Sequence, residues 1–238
     1  MTKIHYTLQP DGDQAILVHF PSLPDGKRAF LLKKAQLLPS QHLGIVDIVA
    51  GYETIHIHYD ALIFSYKDVC AIINLFLKTL SFPANTPYGK HWLIPVCYGG
   101  EVGPDLEAVA SHAGMTTDEV IDLHSQQTYT IQFIGFLPGF PYLKGLPKPL
   151  SMARRSNPRP HVPVGSVGIG GQQTGIYPVA SPGGWQLIGR TPLPLFLPDN
   201  DPPCYLKAGD TLAFQPIKRD VYEALHHSPH LWKNDHML

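Results

Sequence analysis

Apolar positions in the first hundred residues fall in short runs whose period switches between about two and about 3.6. Gln14 to Phe20 (QAILVHF) predicts a strand, and Lys27 to Leu38 (KRAFLLKKAQLL) predicts an amphipathic helix stopped before Pro39. Ile45 to Tyr52 and Thr54 to Tyr59 read as two further strands, with a break at Gly51 and Glu53. Tyr66 to Leu80 carries apolar residues at 69, 72, 73, 76, 77 and 80, a helical stripe, and Lys90 to Tyr98 closes the series as a strand. This alternation predicts an α+β sandwich, with helices on one face of a mainly antiparallel sheet.

A small helical pair follows. Pro104 suits the first turn of a helix running to about His112, with Gly114 able to cap its end. Thr116 with Glu119 forms a capping-box pattern that opens a second helix through about Ser125. Proline and glycine then take over: residues 1–128 hold 8 prolines, whereas the remaining 110 hold 16 and pack most of their glycines between 135 and 189. Many short strands and tight turns are expected there, as in an all-β barrel. The resulting division is an N-terminal α+β domain over 1–90 and a C-terminal β-barrel domain over 91–238 that includes the helical pair near 104–126.

Composition adjusts this picture modestly. Only 16% of the 238 residues are charged and 44% are hydrophobic, against about 25% charged in an average soluble protein. A surface covered by partners would explain this, and so would a compact β protein with few surface charges. Eighteen basic residues against 19 acidic ones give a net charge of −1, so no electrostatic footprint for nucleic acid or an anionic membrane is expected. The N-terminal MTKIHYTLQPDGDQ has no apolar signal-peptide core, and no run approaches the roughly 18 apolar residues of a membrane span. A cytoplasmic location is the expectation. Cys70, Cys97 and Cys204 are odd in number and lack CxxC spacing, which predicts reduced thiols.

Candidate chemistry concentrates after residue 135. FLPGFPYLKGLP from Phe136, then NPRPHVPVGSVGIGGQQTGIYPVASPGGW, then LIGRTPLPLF describe loops whose backbone is fixed by glycine and proline. Phe136, Phe140, Tyr142, Tyr177 and Trp185 are candidate walls of a small-molecule pocket. Arg159 and Arg190 are candidate carboxylate or phosphate ligands, or else braces for loop carbonyls. Gly170, Gly171, Gln173 and Thr174 form the glycine-rich candidate loop.

Several other chemistries find little support. Gly168, Gly170 and Gly171 are followed by QQTGIYP, which cannot open a helix, and no Gly-Lys-Ser/Thr follows, so neither a dinucleotide turn nor a Walker A loop is predicted. Ser166 and Ser181 do not stand in a GxSxG elbow, and the catalytic residues stay unknown. His56 and His58 would share a strand face, and His226 and His230 lie one helical turn apart, but no further ligand is spaced beside either pair and the tail 218–238 reads as frayed. No metal site is predicted.

Four segments carry a resemblance: PVCYGGEVGPDLEAVA (95–110), FLPGFPYL (136–143), PRPHVPVGSVGIGGQQTGIYPVASPGGWQLIGRTP (158–192) and AGDTLAFQPI (208–217). They resemble the signatures of the 5-oxoprolinase B-subunit family, also called allophanate hydrolase subunit 1 or Kip-type histidine kinase inhibitors, weakly before residue 90 and strongly after it. The resemblance implies an N-terminal α+β domain and a C-terminal cyclophilin-like barrel. It also implies one component, inactive alone, of an ATP-dependent enzyme that converts 5-oxo-L-proline to L-glutamate with subunits A and C, with ATP and Mg bound through the complex and not by this chain alone. Another branch implies binding to the dimerisation and phosphotransfer domain of a sporulation histidine kinase. The allophanate hydrolase label fits least, because no Ser/Lys amidase segment is present, and a cyclophilin-like barrel does not by itself license isomerase activity. Phe196-Leu-Pro-Asp stands where members often have Phe-Asp, and the tail after Ile217 is longer than in many.

Overall fold

The computed structural model describes residues 4–82 and 89–231, and the chain divides into two compact units, Met1–Tyr88 and Gly89–Leu238. It is a mixed α+β fold that contains a closed seven-stranded barrel.

The first unit holds β1 (Thr7–Pro10), β2 (Ala15–His19), β3 (Ile45–Ala50) and β4 (Thr54–Tyr59), an antiparallel sheet in the order β1-β2-β4-β3. Ile16 faces Ile57 and Val18 faces Ile55 in register, and all four are buried, while Leu17, His56 and His58 share the opposite, half-buried face. This period of two is what one covered and one wetter sheet face require. Helix α1 (Asp25–Ala35) buries Leu31, Leu32 and Ala35. Helix α3 (Tyr66–Thr79) buries Val69, Ile73 and Leu77, and Ser65 and Asp68 close a reciprocal capping box at its start. Between them, the helix expected to reach Leu38 stops at Ala35, and a short helix α2 (Leu38–Gln41) restarts through Pro39. Proline ends helices only in their interior; in a first turn its missing N–H has no intrahelical acceptor to lose.

The second unit begins with β5 (His91–Tyr98), which lies in the barrel, parallel to β13 (Thr211–Pro216), with Trp92 beside Leu212 and Ile94 beside Phe214. Ile94 to Cys97 are all buried, and such continuous burial suits a strand covered on both faces. Helices α4 (Leu106–Ala113) and α5 (Thr117–Ser125) follow, with Gly114 at φ 67 capping the first and the Thr116–Glu119 capping box opening the second. The barrel is completed by β6 (Tyr129–Ile134), β7 (Pro141–Lys144), β9 (Ser166–Gly170), β10 (Gln173–Ile176) and β12 (Gln186–Arg190), in the order β10-β7-β6-β13-β5-β12-β9. A separate two-stranded ribbon pairs β8 (Arg159–Val162) with β11 (Ser181–Gly183).

Of the tail 218–238 expected to fray, residues 232–238 lie outside the described residues, whereas the part before them forms helix α6 (Arg219–His227), whose Tyr222 packs with Cys97 and Val102 and whose Leu225 is buried. His226 lies in α6 and His230 in a following 3-10 turn, so they do not share one helix face. Among the described residues no group of three or more His, Cys, Asp or Glu is placed to hold a metal ion. No helix there is long and apolar enough to cross a membrane.

One polar cluster sits within the apolar core of the barrel unit. Tyr98 donates its hydroxyl proton to His124 Nδ1 at 2.8 Å, His124 Nε2 meets Thr174 Oγ1 at 3.1 Å, and Thr174 donates to the Gly168 carbonyl at 3.0 Å. The His124 ring stacks on Phe214 at 4.6 Å. Because Thr174 spends its proton on Gly168, its oxygen accepts from Nε2–H, which fixes the neutral tautomer. Desolvation pulls the His124 pKa from 6.5 to about 3. In the unfolded chain the ring takes a proton near pH 6.5, so this group leaves stability intact above that value. As pH falls from 6.5 toward 3, stability drops by about 1.4 kcal/mol per unit. Denaturant melts across this window should show that slope, and His124→Gln should flatten it by one proton; equal slopes would assign the acid lability elsewhere.

Candidate functional site

The loop between β6 and β7 is held by its own backbone: Gly135 N donates to Phe140 O, Leu137 N to Gly135 O and Phe140 N to Leu137 O. Within it Phe136 takes φ 69 and is 61% exposed, the one non-glycine residue at positive φ among those described. Such a conformation costs a non-glycine residue about 1–2 kcal/mol, and rings hold it in place. Phe136 stands edge-on to Phe140 at 5.6 Å and to Tyr177 at 6.4 Å. Phe140 in turn meets Tyr177 at 5.2 Å and Trp185 at 5.4 Å, both near perpendicular, and Tyr142 reaches Trp185 at 5.9 Å. These five rings wall a pocket of about 250 Å³, whose rim is completed by Arg154, Pro158, Pro182, Gly183 and Gly184. Gly170 lets Trp185 lie down on β9, since a Cβ there would come within 2.6 Å of the indole.

The rim is anchored by one carboxylate. Asp105 precedes α4, where an aspartate ordinarily caps its helix, yet it accepts none of that helix's amides. Its side chain accepts from Leu187 N at 2.6 Å, Arg159 Nη2 at 2.8 Å and Arg155 Nη1 at 3.2 Å, and it is only 5% exposed. Backbone bonds support the same junction: Asp105 N donates to Leu187 O, and Arg155 N to Gly184 O. Arg154, one residue before the tethered Arg155, is exposed and lays its guanidinium 5.9 Å from the Trp185 ring centroid. Burial raises the pKa of Tyr177 most, while the nearby Trp185 backbone and the charges of Arg154 and Arg159 pull the other way. Tyr142 is likewise raised by burial against the opposing pull of Arg154. Both phenols are therefore neutral O–H groups at ordinary pH.

Of the residues singled out from sequence, Phe136, Phe140, Tyr142, Tyr177 and Trp185 converge on this pocket. Arg159 lies beside it, committed to Asp105, with Nη1 buried and without a partner. Arg190 ends β12 opposite Cys97 and Ser166, outside the pocket lining, with Nε buried and without a partner. Gly170 shapes the pocket from below. Gly171 forms the turn at φ 65 between β9 and β10, Gln173 pairs with Gly170, and Thr174 belongs to the His124 cluster; these three do not line the pocket. Sequence reasoning missed Arg154 and Asp105. Asp105 sits in the conspicuous segment PDLEAVA, which was legible only as a helix start.

Residues 6–206 match the family model described as carboxyltransferase domain, subdomain C and D. The B subunit of the Haemophilus influenzae 5-oxoprolinase is 46% identical over 172 residues, which cover 71% of this chain and 78% of that protein. The protein belongs to the 5-oxoprolinase B-subunit family. Other family members, the B subunits of Bacillus subtilis and Escherichia coli O157:H7, are 54% and 56% identical over 55% and 57% of this chain. Those alignments span 55% and 62% of the two relatives' own length. The same fold recurs in the crystal structure of the Kluyveromyces lactis urea amidolyase, at a TM-score of 0.75 and 21% identity, covering 94% of this B-subunit family member and 16% of that longer chain.

Two substitutions test how the pocket is built. Gly170→Ala should turn Trp185 out of its seat, seen as a change in indole emission, with a stability loss of about 1–3 kcal/mol from overpacking. Asp105→Asn keeps the shape but removes the charge; the expected loss is about 2 kcal/mol, less than for a wholly enclosed pair because both arginine side chains are partly exposed. Hydrogen exchange at the Leu187 amide should accelerate in the same variant, and unchanged protection there would show that Asp105 does not anchor β12.

Proposed function

We propose that this protein is the B subunit of an ATP-dependent 5-oxoprolinase, which opens 5-oxo-L-proline to L-glutamate together with subunits A and C and is silent alone. The observation that carries this reading is the pocket of five aromatic rings, whose volume of about 250 Å³ suits one small ring better than a drug-sized ligand. The names and identities of its relatives in Bacillus, Escherichia and Haemophilus support it. Opening the lactam breaks its C–N bond, with water supplying oxygen to the carbonyl carbon and a proton to the nitrogen, while ATP is consumed in activating the amide. Such a reaction needs ring, lactam oxygen and phosphate held in line. In this proposal the chain holds the ring. ATP and Mg come with the partner subunits, a division supported by the glycine-rich segment, which turns from strand β9 straight into strand β10 and opens no helix.

A second reading, inhibition of a sensor histidine kinase through its dimerisation and phosphotransfer domain, draws support from the first unit. Leu43 and Leu62 are each 96% exposed, and Val46 and Ile63 are exposed nearby in sequence, as a protein-binding surface would require. Co-expression with A and C homologues and an assay of ATP-dependent glutamate release from 5-oxoproline separate the two. Turnover by the complete set, and none by this chain alone, is expected. No turnover in the complete set, with the purified chain instead blocking a kinase's autophosphorylation at stoichiometric concentration, would replace the enzyme reading with the regulatory one.

A further inference from the structure

We infer that the aromatic pocket is a binding site for a small flat ring bearing a carboxylate, with Arg154 as its charge partner and the Tyr142 and Tyr177 hydroxyls as neutral donors. Three arginines crowd into six residues, and the fold gives them different roles. Arg155 and Arg159 both point at Asp105, which leaves that cluster one positive charge in excess. Arg154 has no carboxylate partner among the described residues and rests against Trp185, its charge available at the pocket rim.

The polar side chains of the pocket agree in sense. Among the lining residues, those whose side chains carry polar atoms are Arg154, Tyr142, Tyr177 and Trp185; the guanidinium and the indole N–H only donate, and the phenols are neutral. The Tyr177 hydroxyl lines the cavity, and as a neutral phenol it has a proton to offer an acceptor there. Aromatic walls alone would equally suit a cationic ligand, but a guanidinium at the rim opposes one. A ring with apolar faces that turns acceptor oxygens toward these donors matches the lining, and a ring carboxylate does so with its charge met by Arg154. Phe136 adds a directional element. Its backbone holds a positive φ while its ring stays 61% exposed, and an unfavourable conformation retained at a pocket mouth points to a contact made when the pocket is filled.

The inference rests on the 5-oxoprolinase reading, which already seats the ring in this pocket and supplies the probe. Calorimetric titration of the full-length protein with 5-oxo-L-proline, 2-pyrrolidinone and acetate separates the contributions, since the second keeps the ring without the carboxylate and the third keeps the carboxylate without the ring. Expected are saturable binding of 5-oxo-L-proline and binding of the other two weaker by about tenfold or more. Arg154→Gln should weaken 5-oxo-L-proline by about the same factor while leaving 2-pyrrolidinone and the melting temperature unchanged. Equal affinity for the two lactams, indifference to Arg154→Gln, or acetate matching 5-oxo-L-proline would each overturn the assignment. So would an absence of binding to the chain combined with an unchanged KM for Arg154→Gln in the assembled enzyme. Turnover by the assembled enzyme without Arg154 dependence would leave the proposed function standing and remove this site. Carboxylate-selective binding here without turnover would do the reverse.

Discussion

The Asp105 carboxylate is the constraint on which the site depends. It gathers the backbone of β12, the start of α4 and two arginines from the segment that leads into the β8–β11 ribbon. A buried carboxylate is costly unless charge and hydrogen bonds surround it, and here both do. Because the partners are one amide and two guanidinium groups from separate stretches of chain, the bond fixes the path of residues 155–159. The pocket rim, Arg154 and Pro158 included, follows from that path.

The barrel supplies a rigid floor beneath this rim. Trp185 is seated by a glycine, Phe140 by perpendicular contacts with two other rings, and the interior behind them is filled by side chains of almost no exposure such as Ile169, Ile176 and Ile188. The His124 cluster shows how a polar group is tolerated there. Each of its ring nitrogens meets one hydroxyl, so the imidazole stays neutral and its two bonds fix α5 to β5 and β10 in a single register.

Much of this was legible along the chain where local chemistry decides the outcome. The Thr116–Glu119 capping box, the two strands broken at Gly51 and the five pocket rings are local signals of this kind. Legibility failed where the deciding partner is distant in sequence. Lys90 to Tyr98 reads as a strand, but its neighbour β13 lies more than a hundred residues away and pairs in parallel. Arg154, Arg155 and Arg159 are alike in type, and which of them is left for a ligand is set by Asp105 some fifty residues earlier. The helix α6 was hidden because its buried stripe, Tyr222 and Leu225, is too short to stand out among histidines.

The pocket's one-sided chemistry bears on why such a chain would act together with partners. A site lined by a guanidinium and neutral phenols can orient an anion, polarise an acceptor and exclude water with its rings. Hydrolysis also needs a group that takes a proton from the attacking water, and the described lining offers no carboxylate or imidazole for that task. Raising the phenol pKa values by burial moves Tyr142 and Tyr177 further from serving as bases. The described lining is thus suited to holding a ligand. On the proposed reading, the base and the activated phosphate must approach from the partner subunits across the exposed rim formed by Phe136 and Arg154, the two lining residues that combine solvent exposure with a clear interaction for a bound ring.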